Sequence, residues 1–134
     1  MTARDWLQRH PWLYRWPPVV AWMGLIFYLS AQPDLPNPAR GGLAELLSMG
    51  AHTAVFGVLA VLWARALDHR SRGWVLPFVL TALYALSDEF HQAFVPGRTP
   101  DPVDLLCDGL GALAGLWAWA QMQRRSEERI SRRR

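Results

Sequence analysis

Four apolar runs of near-bilayer length, with arginines gathered between them, constrain this chain more than any other feature. They cover residues 16–32 (WPPVVAWMGLIFYLSAQ), 43–67, 73–94 and 103–122. A helix needs about 20 apolar residues to cross a hydrocarbon core. Hydrocarbon offers the backbone no hydrogen-bonding partner, so each run is expected to satisfy its own amides as a helix. The pattern predicts an all-α fold, a four-helix transmembrane bundle. Mean hydropathy is only +0.03, because charged connections offset runs that lift the hydrophobic fraction to 51%. Eight Trp residues suit membrane interfaces, where the indole body sits in apolar surroundings and its N–H stays wet.

The arginines orient the bundle. There is no lysine; all fourteen basic residues are Arg. Arg4, Arg9 and Arg15 precede the first run, Arg65, Arg70 and Arg72 flank the second connection, and six more follow the last run. Only Arg40 and Arg98 fall on the other side. Positively charged loops stay inside, which predicts that both termini are cytoplasmic. A chain of 134 residues has room for one domain. It divides into a cytoplasmic segment 1–15, a four-span membrane domain 16–122, and a basic cytoplasmic tail 123–134. The tail, RRSEERISRRR, has no apolar face and is expected to be solvated or to touch anionic headgroups. The first run is read as a span, not a cleaved leader, because a Pro-rich turn follows it where a small-residue cleavage site would stand. The single cysteine, Cys107, excludes an intrachain disulfide and lies in a Leu-rich setting that reads as a buried thiol. No basic face interleaved with aromatics appears, so nucleic acid is not an expected partner; the lipid bilayer is.

Polar residues interrupt this pattern in one place. The stretch YALSDEFHQAFVPGRTPDPVDLLCDGLG, residues 84–111, carries five carboxylates, one histidine and one arginine between two apolar runs. At about 100° per residue, Tyr84, Ser87, Asp88, His91 and Gln92 share a broad helix face with Glu89 at its margin. Leu83, Leu86, Phe90, Ala93 and Phe94 fall opposite. On the next helix Asp101, Asp104 and Asp108 stack at helical spacing, continued by Gly111 and Gly115. Gly-x-x-x-Gly allows close approach of a neighbouring helix, so this acidic stripe should face protein. Leu106, Leu110, Leu113 and Trp117 should face lipid. At about 1.5 Å per residue, His52, Asp88, Glu89 and Asp108 lie at similar depths on three helices. A charged side chain at mid-bilayer costs about 2.5–3.5 kcal/mol, so these groups are expected to converge on one outward-opening polar pocket. Taken singly, Asp101 and Asp104 would also serve as a helix N-terminal cap, and Pro96-Gly97-Arg98 as a turn.

LSAQP after the first run, GAHTAVFGVLA in the second, and the Ser-Asp-Glu-x-x-Gln-x-Phe-x-Pro-Gly-Arg run resemble the VanZ-like family of bacterial integral membrane proteins. The resemblance covers most of residues 20–120. It implies a small helical membrane protein, and the family's founding member is associated with low-level resistance to the glycopeptide teicoplanin. The family pattern picks out Ser30, Gln32, His52, Tyr84, Ser87, Asp88, Glu89, Gln92, Pro96, Gly97, Arg98, Asp104 and Gly111. This chain departs from it at Asp108, where the family often has Asn, and in SMGAH, which lacks the usual basic residue before the histidine.

Several chemistries fit such a pocket. In an enzyme, His52, Glu89 and Asp104 would act as acid, base or ligand, while Glu89, Asp104 and Asp108 would hold a divalent cation. Their oxygen-rich character favours Mg²⁺ or Ca²⁺ over zinc. Gln32, Tyr84, Ser87, Asp88, Gln92 and Arg98 would bind substrate, with Arg98 clamping a phosphate or carboxylate of a lipid-linked envelope precursor. A non-catalytic module would hold a precursor or a glycopeptide in the same place. A small ion or proton transport component is the third alternative.

Overall fold

The computed structural model describes residues 10–32, 42–67 and 73–133, with side chains from residue 49 onward in the second segment. The Pro-rich loop with Arg40, and Arg4, Arg9, Arg70, Arg72 and Arg134, lie outside the described residues. Among the described residues the chain is all-α, with no strand: α1 (Trp12–Ser30), α2 (Gly42–Ala66), α3 (Val75–Gln92) and α4 (Pro102–Ser131).

Helix α2 is the hub, and its longest interface is with α4. The sequence cause is glycine. A Cβ on Gly57 would sit 2.9 Å from the Gly111 carbonyl oxygen. A Cβ on Gly111 or Gly115 would collide with the carbonyls of Thr53 and Gly57 respectively. These pairings climb together along both helices, so α2 and α4 run parallel with their backbones nearly touching. Ala60, Ala64, Ala112 and Leu116 continue the same close interface, with Phe78 and Trp119 against it. On the other side of α2, Val19 and Ile26 of α1 bury against Phe56 and Leu59, joined by Ala85 of α3. Two side chains strap α1 to its neighbours through main-chain carbonyls. Trp22 Nε1 donates to the Val55 carbonyl at 3.0 Å, and Tyr84 Oη donates to the Met23 carbonyl at 2.6 Å.

The outward stripes follow the sequence pattern. Leu83, Leu86 and Phe90 are exposed on α3, with Phe94 just beyond its end, and Leu106, Leu110, Leu113 and Trp117 on α4. Among the described residues, two helices are long and apolar enough to cross a membrane, α2 over Met49–Ala66 and α4. In α1, Arg15 and two prolines dilute the apolar run, and α3 gives its last turn to Asp88, Glu89, His91 and Gln92.

Two boundaries differ from expectation. The apolar run opens at Trp16, which would leave Pro17 and Pro18 in the first turn of a helix, but α1 begins at Trp12 and both prolines lie inside it. Proline lacks the N–H that would bond four residues back, so the first turn depends on other contacts. Leu13 N donates to the His10 carbonyl, Arg15 N to that of Pro11, and Trp16 meets Trp63 edge-on at 5.8 Å. Second, α4 does not stop near Met122; it continues unbroken to Ser131. Extending an existing helix needs no new nucleus, so a polar tail of good helix formers continues it. Its 30 residues span about 45 Å, against about 30 Å for a hydrocarbon core.

The glycine contact predicts an asymmetric response to alanine. Gly111→Ala should lower unfolding stability in detergent by about 1–3 kcal/mol through overpacking. Gly109→Ala, whose Cβ would meet nothing within 4 Å, should be neutral or stabilising. Equal melting of the two variants would remove the close approach from the account.

Candidate functional site

The C-terminal ends of α1 and α3 and the N-terminal halves of α2 and α4 meet at one end of the bundle. Apart from Thr81, every buried polar residue among those described lies there: Ser30, Asp88, Gln92 and Asp108. Thr81 bonds back to the Pro77 carbonyl of its own helix.

Histidine 52 is the centre of one cluster. Its Nδ1 lies 3.1 Å from Asp108 Oδ1, and its Nε2 lies 3.7 Å from Asp104 Oδ2. Asp108 is 2% exposed, whereas Asp104 is half-buried at the rim. The first contact is a hydrogen bond; the second is a longer electrostatic contact. Both acids belong to α4, one turn apart, so a single helix face brackets the imidazole. Phe56, one turn along α2, stacks beside the ring with centroids 6.4 Å apart. Glu89 of α3 lies within electrostatic range of His52, Asp104 and Asp108.

Glu89 also does something local. Its Oε2 accepts from the backbone N–H of Asp101 at 3.0 Å. Asp101 is the N-cap of α4: its Oδ1 accepts from Val103 N at 2.8 Å, and Pro102 occupies the first helical position. Glu89 therefore fixes where α4 starts, and so where Asp104 points. Of the two acids read as a cap, Asp101 takes that role and Asp104 faces the histidine.

A second cluster joins α1 to α3. Asp88, 4% exposed, accepts at Oδ2 from Ser30 Oγ (2.7 Å) and from Gln92 Nε2 (3.0 Å). Its Oδ1 has no partner among the described residues. His91 stacks on Phe27 of α1 at 4.3 Å, with Nε2 buried and unpartnered. Arg98 is placed by a tight turn. Arg98 N donates to the Val95 carbonyl at 3.1 Å, with Pro96 at the first central position and Gly97 at the second, where φ is 81°. That left-handed angle suits glycine in a type II turn. The Arg98 Nε then donates to the Gln32 carbonyl at 3.3 Å, tying the α3–α4 connection to the end of α1.

The structure thus brings His52, Asp104 and Asp108 together, with Glu89 close by, and groups Asp88, Gln92, Gln32 and Arg98 nearby on the α1 side. Tyr84 points to α1, where its hydroxyl is used on Met23. Ser87 is not drawn in: it is exposed, and its Oγ donates to the Tyr84 carbonyl of its own helix. The divalent-cation expectation for Glu89, Asp104 and Asp108 gains no support from the donor geometry. No group of three or more His, Cys, Asp or Glu among the described residues is arranged to hold a metal ion. One oxygen of Asp108 is engaged by His52 and one of Glu89 by Asp101. Two contributors were given no role from sequence, Ser30 and His91. Both partners, Asp88 and Phe27, lie across a helix–helix interface, which helical periodicity alone cannot assign.

Buried ion-paired groups make a stability prediction. His52→Leu leaves Asp108 buried without its partner and should cost about 3–5 kcal/mol. The double variant His52→Leu with Asp108→Leu should recover much of that loss. Unfolding in micelles across the full cycle measures it; additive losses would mean the two residues are not coupled.

No curated protein and no solved structure matches the chain. A family model does: VanZ/LLP1 matches residues 16–123. It covers the four helices up to the polar third of α4, and with them both polar clusters. Two of the described helices, α2 and α4, are long and apolar enough to cross a membrane, and this chain belongs to the VanZ/LLP1 family of membrane proteins.

Proposed function

We propose that this is a multi-pass protein of the bacterial cytoplasmic membrane, with both termini inside, whose polar end faces outward and binds a membrane-borne component of the cell envelope. The observation that carries this reading is the His52 pair of contacts, 3.1 Å to Asp108 and 3.7 Å to Asp104. Ionisable groups at membrane depth are costly and persist where they serve a purpose. Here they gather at one end, beside a connection held in a defined shape by Glu89 and Arg98. The arginine distribution supports the orientation, and the exposed stripes of α3 and α4 support four lipid-bathed spans. Domain limits follow: residues 1–15 inside, 16–122 in the membrane, and 123–134 as a cytoplasmic extension of α4. A lipid-linked envelope precursor or a glycopeptide would reach the site from outside. Family resemblance links the latter to reduced teicoplanin susceptibility.

A second reading has its own support. Asp108 holds the His52 ring by Nδ1 and leaves Nε2 toward the half-exposed Asp104. An oriented imidazole beside a carboxylate suits general acid–base work in a hydrolase or transferase acting on a lipid-linked phosphate. A divalent cation in that chemistry would need donors from the substrate. Ion or proton transport is the least favoured alternative, because the described buried polar residues crowd one end and offer no continuous path.

Two experiments test the proposal. A cysteine replacing Thr99, in a Cys107→Ser background, should react with membrane-impermeant maleimide added to intact cells. Labelling only after lysis would reverse the orientation. Expressed in a glycopeptide-sensitive Gram-positive host, the chain should raise the teicoplanin concentration that stops growth. His52→Ala and Asp104→Asn should abolish that rise at unchanged membrane abundance. Full protection by both variants would reduce the cluster to scaffolding.

A further inference from the structure

The charge balance at the polar end points to a ligand class that Arg98 alone would not suggest. Among the described residues, five carboxylates stand there, from Asp88, Glu89, Asp101, Asp104 and Asp108, against one arginine. Arg98 has no ion-paired carboxylate among the described residues, and its Nε is engaged by the Gln32 carbonyl. A phosphate or carboxylate entering this region would meet an excess of its own sign. A cation would not.

One atom locates the deficit. Asp88 is almost wholly buried, and both donors that reach it, Ser30 Oγ and Gln92 Nε2, are neutral and converge on Oδ2. Oδ1 is buried with no donor among the described residues. Buried carboxylates are ordinarily paired or fully hydrogen-bonded, and this one lacks both a positive partner and half of its hydrogen bonds. One turn further along α3, His91 Nε2 is also buried and unpartnered, and its ring lies against Phe27 of α1. Asp88 contacts Ser30, one turn after Phe27 on α1. Both orphaned atoms therefore belong to residues that face α1 across the same interface.

We propose that the ligand of this site carries a primary ammonium group, seated on Asp88 Oδ1 in the α1–α3 interface and borne on a lipid headgroup. The inference deepens the binding function proposed above and rests on it. An ammonium supplies three N–H donors around one positive charge. One satisfies Oδ1, and the others remain for acceptors around it or on the headgroup itself. It needs acceptors, not a coordination shell, and no three-ligand metal group occurs among the described residues. The lipid source follows from what surrounds the seat: Phe27 and Tyr28 on α1, Phe90 on α3 and Phe94 just past its end are exposed apolar surface at this end. Entry requires α1 and α3 to part slightly. Their contact is the sparsest of the principal helix pairs, and its described hydrogen bonds are Tyr84 to Met23 and Ser30 to Asp88.

The test uses the full chain in nanodiscs containing phosphatidylglycerol with either phosphatidylethanolamine or its N-acetylated form, and native mass spectrometry of retained lipid. The acetylated lipid keeps the phosphate and tails and loses the ammonium. The wild-type protein should retain phosphatidylethanolamine over phosphatidylglycerol by about tenfold, and the acetylated form should show no such preference. Asp88→Asn should abolish the preference, while Ser30→Ala, which keeps the carboxylate, should preserve it. Equal retention of native and acetylated lipids by the wild-type chain would overturn the ammonium assignment and leave envelope binding standing. Retention of no lipid above bulk composition would overturn both. Free ethanolamine displacing the lipid at equal concentration would place the amine in solution and overturn the lipid assignment.

Discussion

The approach of α2 to α4 is the constraint from which the rest follows. Thr53 and Gly57 present their carbonyls to Gly111 and Gly115, and no side chain stands between the backbones. Because the helices run parallel, moving back along the same ladder brings His52 level with Asp108, the residue one turn before Gly111. Their 3.1 Å hydrogen bond is thus a product of backbone proximity. Larger residues at Gly57 or Gly111 would widen the interface, and neither side chain could stretch to compensate. In hydrocarbon, where apolar attraction between helices is weak, this kind of close contact is what holds a pair together.

Helix α3 uses the second constraint, the rotation of about 100° between consecutive residues. Asp88 and Glu89 are neighbours in sequence but serve different interfaces. Asp88 turns to α1 and is held by Ser30; Glu89 turns toward α4 and holds the amide of Asp101. One helical turn therefore links both polar clusters, and Asp88 and Asp108 remain in electrostatic range of each other. The acids sit close enough to share a field, while each has a different hydrogen-bonded anchor.

Much of this was legible in the residues. Apolar periodicity gave the number of helices, the exposed stripes of α3 and α4, and the inward turn of Asp108 with Gly111. Depth counting aligned His52 with Asp108. What periodicity left open was partner choice. Ser87 falls on the polar face by angle, yet it stays exposed because no helix covers that sector. Asp88 reads as a free ligand-binding carboxylate until Ser30 and Gln92 are seen to hold one of its oxygens. Helix ends were misplaced for a related reason. Composition marks where apolar residues stop, whereas α4 stops where its hydrogen-bond ladder does, about two and a half turns later.

The α3–α4 connection shows how these parts act as one. It is pinned twice: Arg98 reaches the Gln32 carbonyl beyond α1, and Asp101 is held by Glu89 of α3 while capping α4. A displacement of α1 pulls on Arg98, and the short turn at Gly97 passes that pull to the start of α4 within a few residues. Asp104 lies in the first turn of α4, so its distance to His52 depends on the same anchor. The end of α1 and the acid beside the histidine are therefore connected through one chain of hydrogen bonds. In a bundle this small the two polar clusters share one end, with α3 as the strut between them.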